Sequence, residues 1–578
     1  MTAVQAARAR LRALTLFNAA AGAVVLIVTA LVVYPLGKMV LEVVVVNGSP
    51  TVGAFRRAWS DPVLLEAARN TALIVGLATV GAVVIASLFA WCNERTDARM
   101  GWISDLMPLV PLLVPAVATT IGFVFLFSPG AGIANVELRK LFRLVGIHFT
   151  AGPIDLFTRP TLIAVYILFL VPFAYLPIAA ALRNVDPAYE EVARVCGAGV
   201  FRTLRIVTLP IVAPAIASAG LVSLVIGLAL FTAPVVIGSR ARINVVSVHV
   251  YKLVSVYPPR KDEAVAVGLS LLAVIAVAAT VERRIRRRGN FATISGRARR
   301  EARVHLGGLR WVVRAAMLLY VALTSVLPFI ALLILSMQKF WTAKLHLRWD
   351  TQNYRDVFFN DDFAQKGLKD SLILGVAGAT ISVFVIALLA RYTRRAGRIG
   401  GSVVEFVTKI PATLSHLVMA LAFLIALGPL KFPGTSYRLQ GTLTILLLVY
   451  FVIYLPFGSV LANAAYAQVG RDLTETAQVC GASPGRTFTR IELPLIMPGL
   501  VAVWSLSFVL MAGDLTASVF LVGPNTPVIG SVILDRFENG GFQLIAALGT
   551  VMSVVTLTVV GGAQLIGRRF LSIEPPQT

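Results

Sequence analysis

Glu190 to Pro210 reads EEVARVCGAGVFRTLRIVTLP, and Glu475 to Pro494 reads ETAQVCGASPGRTFTRIELP. The second stretch repeats the first at an offset of 284 residues: Cys480 matches Cys196, Gly481 matches Gly197, and Leu493-Pro494 match Leu209-Pro210. Both are polar, and both lie between long apolar runs. A polar segment kept at one register in two such surroundings is placed to touch something outside the bilayer. Its shape follows from local chemistry. Asp186-Pro187 supplies an N-cap followed by proline at the first helical position, and Asp472 with Glu475 has the spacing of a capping box. Glycine at 197 and 481 accepts the left-handed conformation that ends a helix. Ser483-Pro484 opens a second helix, and Leu-Pro marks the entry to the next apolar run. Each stretch is expected to fold as helix, glycine bend, helix.

The 578-residue chain around these stretches is 57% hydrophobic and 14% charged, with a mean hydropathy of +0.83. A soluble chain of this length needs far more charge to cover its surface. Apolar runs of about 20 residues recur, each long enough to cross the hydrocarbon core. They predict an all-α polytopic membrane protein with twelve spans: 14–36, 70–91, 104–128, 161–183, 209–236, 263–281, 313–336, 371–391, 403–428, 442–464, 495–521 and 543–566. The first run has no small-x-small cleavage site behind it and reads as a retained span. An even number of spans puts both termini on one side, and the Lys/Arg bias makes that side cytoplasmic. The bias is sharpest in short loops, such as the one with Arg391, Arg394, Arg395 and Arg398. The net charge of +24 reflects this orientation rather than nucleic-acid binding. Cys92, Cys196 and Cys480 offer neither a disulfide framework nor metal-ligand spacing. No G-x4-G-K-[ST] occurs, so no nucleotide-binding loop, and no enzymatic activity, is expected of the chain itself. No cofactor or resident metal is expected either.

The repeat extends beyond the polar loop. LFAWCNERT at Leu88 resembles LLARYTRRA at Leu388; Val171-Pro172-Phe173 matches Leu455-Pro456-Phe457; Pro115 corresponds to Pro411. Residues 1–282 form a first six-span domain with its loop at 186–210, and residues 313–578 a second with its loop at 472–494. Between them, 283–312 is a basic linker; eleven arginines lie from Arg283 to Arg314. It reads as a solvated cytoplasmic stretch near anionic headgroups. Six spans per half means both halves start with the same topology. The duplication is parallel, with a pseudo-two-fold axis along the membrane normal.

The loops resemble the E-A-A-x3-G-x9-I-x-L-P loop of ABC importer permeases. Glu191, Ala193, Gly197, Val207, Leu209 and Pro210 fit in the first copy, and Glu475, Ala477, Gly481, Ile491, Leu493 and Pro494 in the second. The departures are Val192 and Thr476 at the middle position, and Val207 for Ile. Nearly the whole chain is similar to the fused two-domain permeases of type I ABC importers. More narrowly it resembles the branch serving ferric iron, 2-aminoethylphosphonate, thiamine and polyamines. The resemblance implies a multi-pass protein of the bacterial inner membrane that imports a small solute by alternating access, ferric iron first and organophosphonate next. It implies two copies of a cytosolic ABC ATPase and a periplasmic substrate-binding protein as partners. Glu190, Glu191, Ala193, Gly197, Leu209, Pro210, Glu475, Ala477, Gly481, Leu493 and Pro494 are the expected coupling residues. A secondary transporter with two six-span halves is the alternative; its repeated motif would lie between spans two and three, whereas here it lies between four and five.

Asp514 is the one acid deep in a span, and the repeat puts Leu230 at its place. Intramembrane acids face a cavity or a partner, so Asp514 is a candidate for the translocation pathway, the competing role being a structural carboxylate. Leu230, Pro234, Pro115 and Pro411 are grouped with it, the prolines as helix kinks. His416, beside Ser415, is expected to pack rather than to ligate.

Overall fold

The structure is a computed structural model that describes residues 3–46, 48–101, 103–104, 107–288, 304–342, 349–395, 398–413, 415–431, 438–467, 469 and 471–571. The middle of the basic linker, 289–303, lies outside them, as do the side chains of Arg394, Arg395 and Arg398. The principal helices in chain order are α1 (Ala3–Val44), α2 (Pro62–Arg95), α3 (Ala116–Phe127), α4 (Arg159–Asn184), α5 (Pro187–Val195) and α6 (Val200–Ala229). There follow α7 (Lys261–Arg288), α8 (Leu309–Ser336), α9 (Asp362–Arg395), α10 (His416–Ala426), α11 (Leu443–Ala467), α12 (Arg471–Val479), α13 (Gly485–Ala512) and α14 (Phe542–Leu571). The only strands among the described residues are two antiparallel pairs of residues, Val45–Val46 and Ser49–Pro50.

Among the described residues, ten helices are long and apolar enough to cross a membrane. They coincide with ten of the twelve expected spans. The third span of each half departs from the continuous run the sequence suggests. In the first, a 3-10 segment at Met107–Leu113 precedes α3, which has only 12 residues. At about 1.5 Å per residue α3 is too short to cross alone. In the second, the chain bends by 101° before α10. Proline is the cause: Pro108, Pro111 and Pro115 in one half and Pro411 in the other remove amide donors that a continuous helix needs.

The chain packs as two compact units. One comprises residues 52–354 with 541–550, the other 1–51 with 355–540 and 551–578. Sequence repeat and packing therefore divide the chain differently. In the second unit α1 lies against α10 and α9; in the first, α8 lies against α3. The leading span of each half belongs to the unit built from the other half's helices. Within the first unit, α2 shows buried alanines at 78, 82, 86 and 90, one every fourth residue. Small residues let helices approach closely, the usual basis of helix association in lipid: α2 packs on α4, and a Cβ at Gly81 would fall 2.6 Å from Ile167 of α4.

One close backbone approach sets Gly122 of α3 against α8. A Cβ at Gly122 would fall 2.5 Å from Pro328 Cβ and 2.7 Å from the Pro328 carbonyl oxygen. Backbone cannot yield as a flexible side chain does. Gly122→Ala is expected to lower stability by about 1–3 kcal/mol through overpacking. Gly76→Ala in α2, where a Cβ meets nothing within 4 Å, is the control and is expected to be neutral. Thermal unfolding of the purified protein in detergent distinguishes the two.

Candidate functional site

The first polar stretch folds as its capping residues dictate. Asp186 Oδ1 accepts from the Ala188 amide at 3.0 Å, and Pro187 opens α5. The helix closes with the Ala198 amide donating to the Ala193 carbonyl at 3.0 Å and the Gly197 amide to the Arg194 carbonyl at 2.9 Å. This is a Schellman end, and it needs a left-handed residue; Gly197 sits at φ +82°. The second stretch repeats it. Gly481 sits at φ +84°, and the Ala482 amide donates to the Ala477 carbonyl at 2.9 Å. The side chain of Asp472 lies outside the described residues.

The segment after each bend is continuous with the next span instead of entering it at Leu-Pro. Leu209 donates its amide to the Leu204 carbonyl five residues back, and Leu493 to Phe488 likewise. Each is one turn of π-helix, a feature common at functional positions. Pro210 and Pro494 follow at once, within the first turn of the α-helix that continues the span. Helix, π-turn and span thus form one rod beyond each glycine.

The short helices expose an apolar face at matching positions. Tyr189 and Val195 are exposed on α5, and Leu473 and Val479, 284 residues further on, are exposed on α12; Val195 and Val479 are each 87% exposed. Glu191 and Glu475 also point outward, as do Cys196 and Cys480. Ala193 and Ala477 are half-buried.

Glu190 departs from this pattern. The sequence groups it with the outward-facing residues of the loop, but it is 3% exposed and points into the protein. Its Oε1 accepts from Thr208 Oγ1 at 2.7 Å and lies 3.7 Å from Arg95 Nε. Arg95 ends α2 and is buried too. Its Nη2 donates to the carbonyls of Leu182 and Val185, at 2.7 and 2.8 Å, satisfying the frayed end of α4. One junction therefore ties the ends of α2 and α4 to the start of α5 and the root of α6. The second loop has its own junction: Glu492 is buried, its Oε2 lies 3.4 Å from Arg391 Nε, and that guanidinium stacks 4.0 Å over the Phe488 ring.

These arginines were not visible as site residues in the sequence, but a signal was there. At the 284-residue offset Glu190 corresponds to Thr474, and Thr208 to Glu492. Acid and hydroxyl have changed places between the two halves.

The end of the linker packs beside the first junction. Val304 pairs with Thr96, its amide donating to the Arg95 carbonyl at 2.8 Å while its carbonyl accepts from Asp97 at 3.1 Å. Arg314 donates to the carbonyls of Ala98 and Asp97, at 3.0 and 2.9 Å. The Leu306 amide on the Asp97 carboxyl, helped by His305 and Arg310 and opposed by desolvation, holds that acid below its usual range.

The residues grouped as pathway candidates are placed as follows. Asp514 is buried and bonded: Oδ1 accepts from Tyr454 OH at 2.8 Å, Oδ2 from the amides of Ala517 and Ser518 at 2.9 and 3.3 Å. It caps the short helix Ser518–Leu521 that follows the break after α13. Leu230 ends α6, its carbonyl accepting from Ser247 Oγ at 2.9 Å. Pro234 starts the buried π-turn Pro234–Gly238. Pro115 immediately precedes α3, and Pro411 lies in the turn before α10. His416 packs edge-on against Tyr454, ring centroids 5.4 Å apart.

Residues 63–287 and 382–571 match the family of binding-protein-dependent transport system inner membrane components. The chain belongs to that family. This permease is therefore the multi-pass inner-membrane component of an ABC importer. It is 23% identical over 494 residues to the ferric transport system permease protein FbpB of Actinobacillus pleuropneumoniae, covering 85% of this chain and 69% of that one. It is 22% identical over 510 residues to the putative ferric transport system permease protein FbpB 1 of Haemophilus influenzae, covering 87% and 78%. The spermidine/putrescine transport system permease protein PotC of Escherichia coli K12 is 26% identical over 242 residues, which is 42% of this permease and 89% of PotC. The relatives are named as permease proteins, the membrane component of such systems.

Proposed function

We propose that this permease imports ferric iron, received from a periplasmic binding protein, and that its two glycine-bent loops each seat on one copy of a cytosolic ABC ATPase. In this reading both termini are cytoplasmic, and ATP is hydrolysed by the partner, not by this chain. The boundary at 283–312 marks the join of two duplicated halves, not the limit of a packed unit. The observation that carries the coupling role is the matched pair of exposed apolar positions: Tyr189 and Val195 on one short helix, Leu473 and Val479 on the other. An exposed apolar patch rimmed by polar groups marks a protein contact. Behind each patch the rod of π-turn and span gives a stiff path for the ATPase's motion into the membrane. The iron assignment is supported by the names of the two relatives that align along most of the chain.

Native cysteines provide the test. Cys196 and Cys480 are exposed at the bends, and Cys92 is buried. An impermeant maleimide is expected to label the first two in inside-out vesicles and not in spheroplasts, and bound ATPase is expected to protect them. Labelling from the periplasmic side, or no protection, would overturn the orientation or the docking. For cargo, radioactive ferric iron uptake into vesicles carrying the ATPase and binding protein is measured against 2-aminoethylphosphonate. Uptake of the phosphonate alone would replace iron as the cargo.

A further inference from the structure

We propose that Arg95 and Arg391 are positioning residues for coupling, each tying its half's glycine-bent loop, at the short helix in the first half and at the root of the following span in the second, to the cytoplasmic end of that half's second span through a buried carboxylate. The inference rests on the coupling reading above but concerns different residues. In the first half the carboxylate is on the short helix, Glu190, and the hydroxyl is at the root of the span, Thr208, with both side chains in contact at 2.7 Å. In the second half the sequence has the hydroxyl on the short helix, Thr474, and the acid at the root of the span, Glu492. Each acid faces an arginine from the end of its own half's second span, Arg95 at 3.7 Å and Arg391 at 3.4 Å.

Chance divergence does not favour this exchange. A buried carboxylate whose charge is left uncompensated is strongly unfavourable, and a buried ion pair adds little net stability over apolar packing. Its attested use is to fix one arrangement against its alternatives. In the sequence the exchange keeps one acid and one hydroxyl per half while moving the acid from the short helix to the root of the span, and each acid faces an arginine; the side chain of Thr474 lies outside the described residues. What both halves keep is the buried acid–arginine pair. Arg95 is also anchored independently, through two carbonyls of the α4 end and through Val304 on its own carbonyl. A displacement of α5 is therefore felt by α2, α4 and α6 together. Without the link, the exposed face can still bind an ATPase, but its motion is absorbed between the short helix and the spans.

The test uses the full transporter with its ATPase and loaded binding protein, and reads solute imported per ATP hydrolysed. Glu190→Thr is expected to leave ATPase attachment unchanged, by co-purification, and to lower that ratio by about tenfold, the size of an ordinary coupling energy. Adding Thr208→Glu, which gives the first half the second half's arrangement, is expected to restore most of the ratio. Thr474→Glu with Glu492→Thr makes the reciprocal exchange and is expected to be tolerated as well. If Glu190→Thr does not accumulate, Glu190→Gln, which keeps a hydroxyl partner and loses the charge, is read in the same way. A merely stabilising pair would change protein yield and leave the ratio unmoved. A wild-type ratio in the single variants, or double exchanges no better than the singles, overturns the proposal. The bend-glycine variants separate this from failure of the coupling reading itself: if they are inactive while the exchange series is indifferent, only the arginine clasps are refuted.

Discussion

Replacing both bend glycines, Gly197→Val with Gly481→Val, is expected to abolish ATP-driven uptake while the protein remains inserted. At these positions φ is +82° and +84°, and a Cβ added at either meets nothing within 4 Å. The penalty is therefore one of backbone conformation and not of crowding. A residue with a Cβ loses roughly 1–2 kcal/mol in the left-handed region, and a β-branched one is a true outlier there. The Schellman bonds from Ala198 and Ala482 depend on that conformation, so the short helix would unwind its last turn and carry its apolar face away. Asparagine tolerates the left-handed region. A graded series is expected: Asn retains most uptake, Ala less, Val none. Uptake and binding-protein-stimulated ATP hydrolysis in proteoliposomes, normalised to inserted protein, measure it. Uptake at the wild-type rate in the double valine variant would remove the coupling assignment.

The second large effect concerns Asp514. Asp514→Leu is expected to prevent accumulation of folded permease. It strips the acceptor from the Tyr454 hydroxyl and from the amides of Ala517 and Ser518, and each buried donor left alone costs about 1–3 kcal/mol. The first half shows how the same place is built without an acid. At the 284-residue offset Leu230 replaces Asp514, Pro234 replaces Ser518 and Leu170 replaces Tyr454. Proline has no amide to satisfy and leucine no hydroxyl, so two of the three donors vanish with the acceptor. Ala233, before that proline, has the helical φ and ψ also found at Ala517, so the backbone accommodates the change. The triple variant Asp514→Leu, Ser518→Pro, Tyr454→Leu is expected to recover most of the lost stability, read by thermal unfolding. Its transport then decides the remaining role. If the recovered protein imports normally, Asp514 is a structural carboxylate. If it folds and does not import, the carboxylate also serves the pathway.

The sequence alone carried the membrane class, the duplication and both glycine-bent loops, because these depend on local chemistry. A run of apolar residues, a capping Asp186 or a glycine before Ala198 acts through near neighbours in the chain. The broken third spans were also written locally, in Pro108, Pro111, Pro115 and Pro411, although the hydropathy of those runs concealed the break. The tertiary structure alone decided which of two adjacent acids faces inward. Glu190 and Glu191 differ by one step around a helix, about 100°, and only the arrival of Arg95 from a helix ninety-five residues earlier in register makes one of them a buried partner. It likewise turned Asp514 from an isolated intramembrane acid into the cap of Ser518–Leu521, held by Tyr454 from another helix. The exchange of leading spans, α1 against α10 and α8 against α3, was equally beyond the sequence. Helix association in lipid is set by close fits such as Gly122 on Pro328, and neither residue signals the other until the chain has brought them within contact.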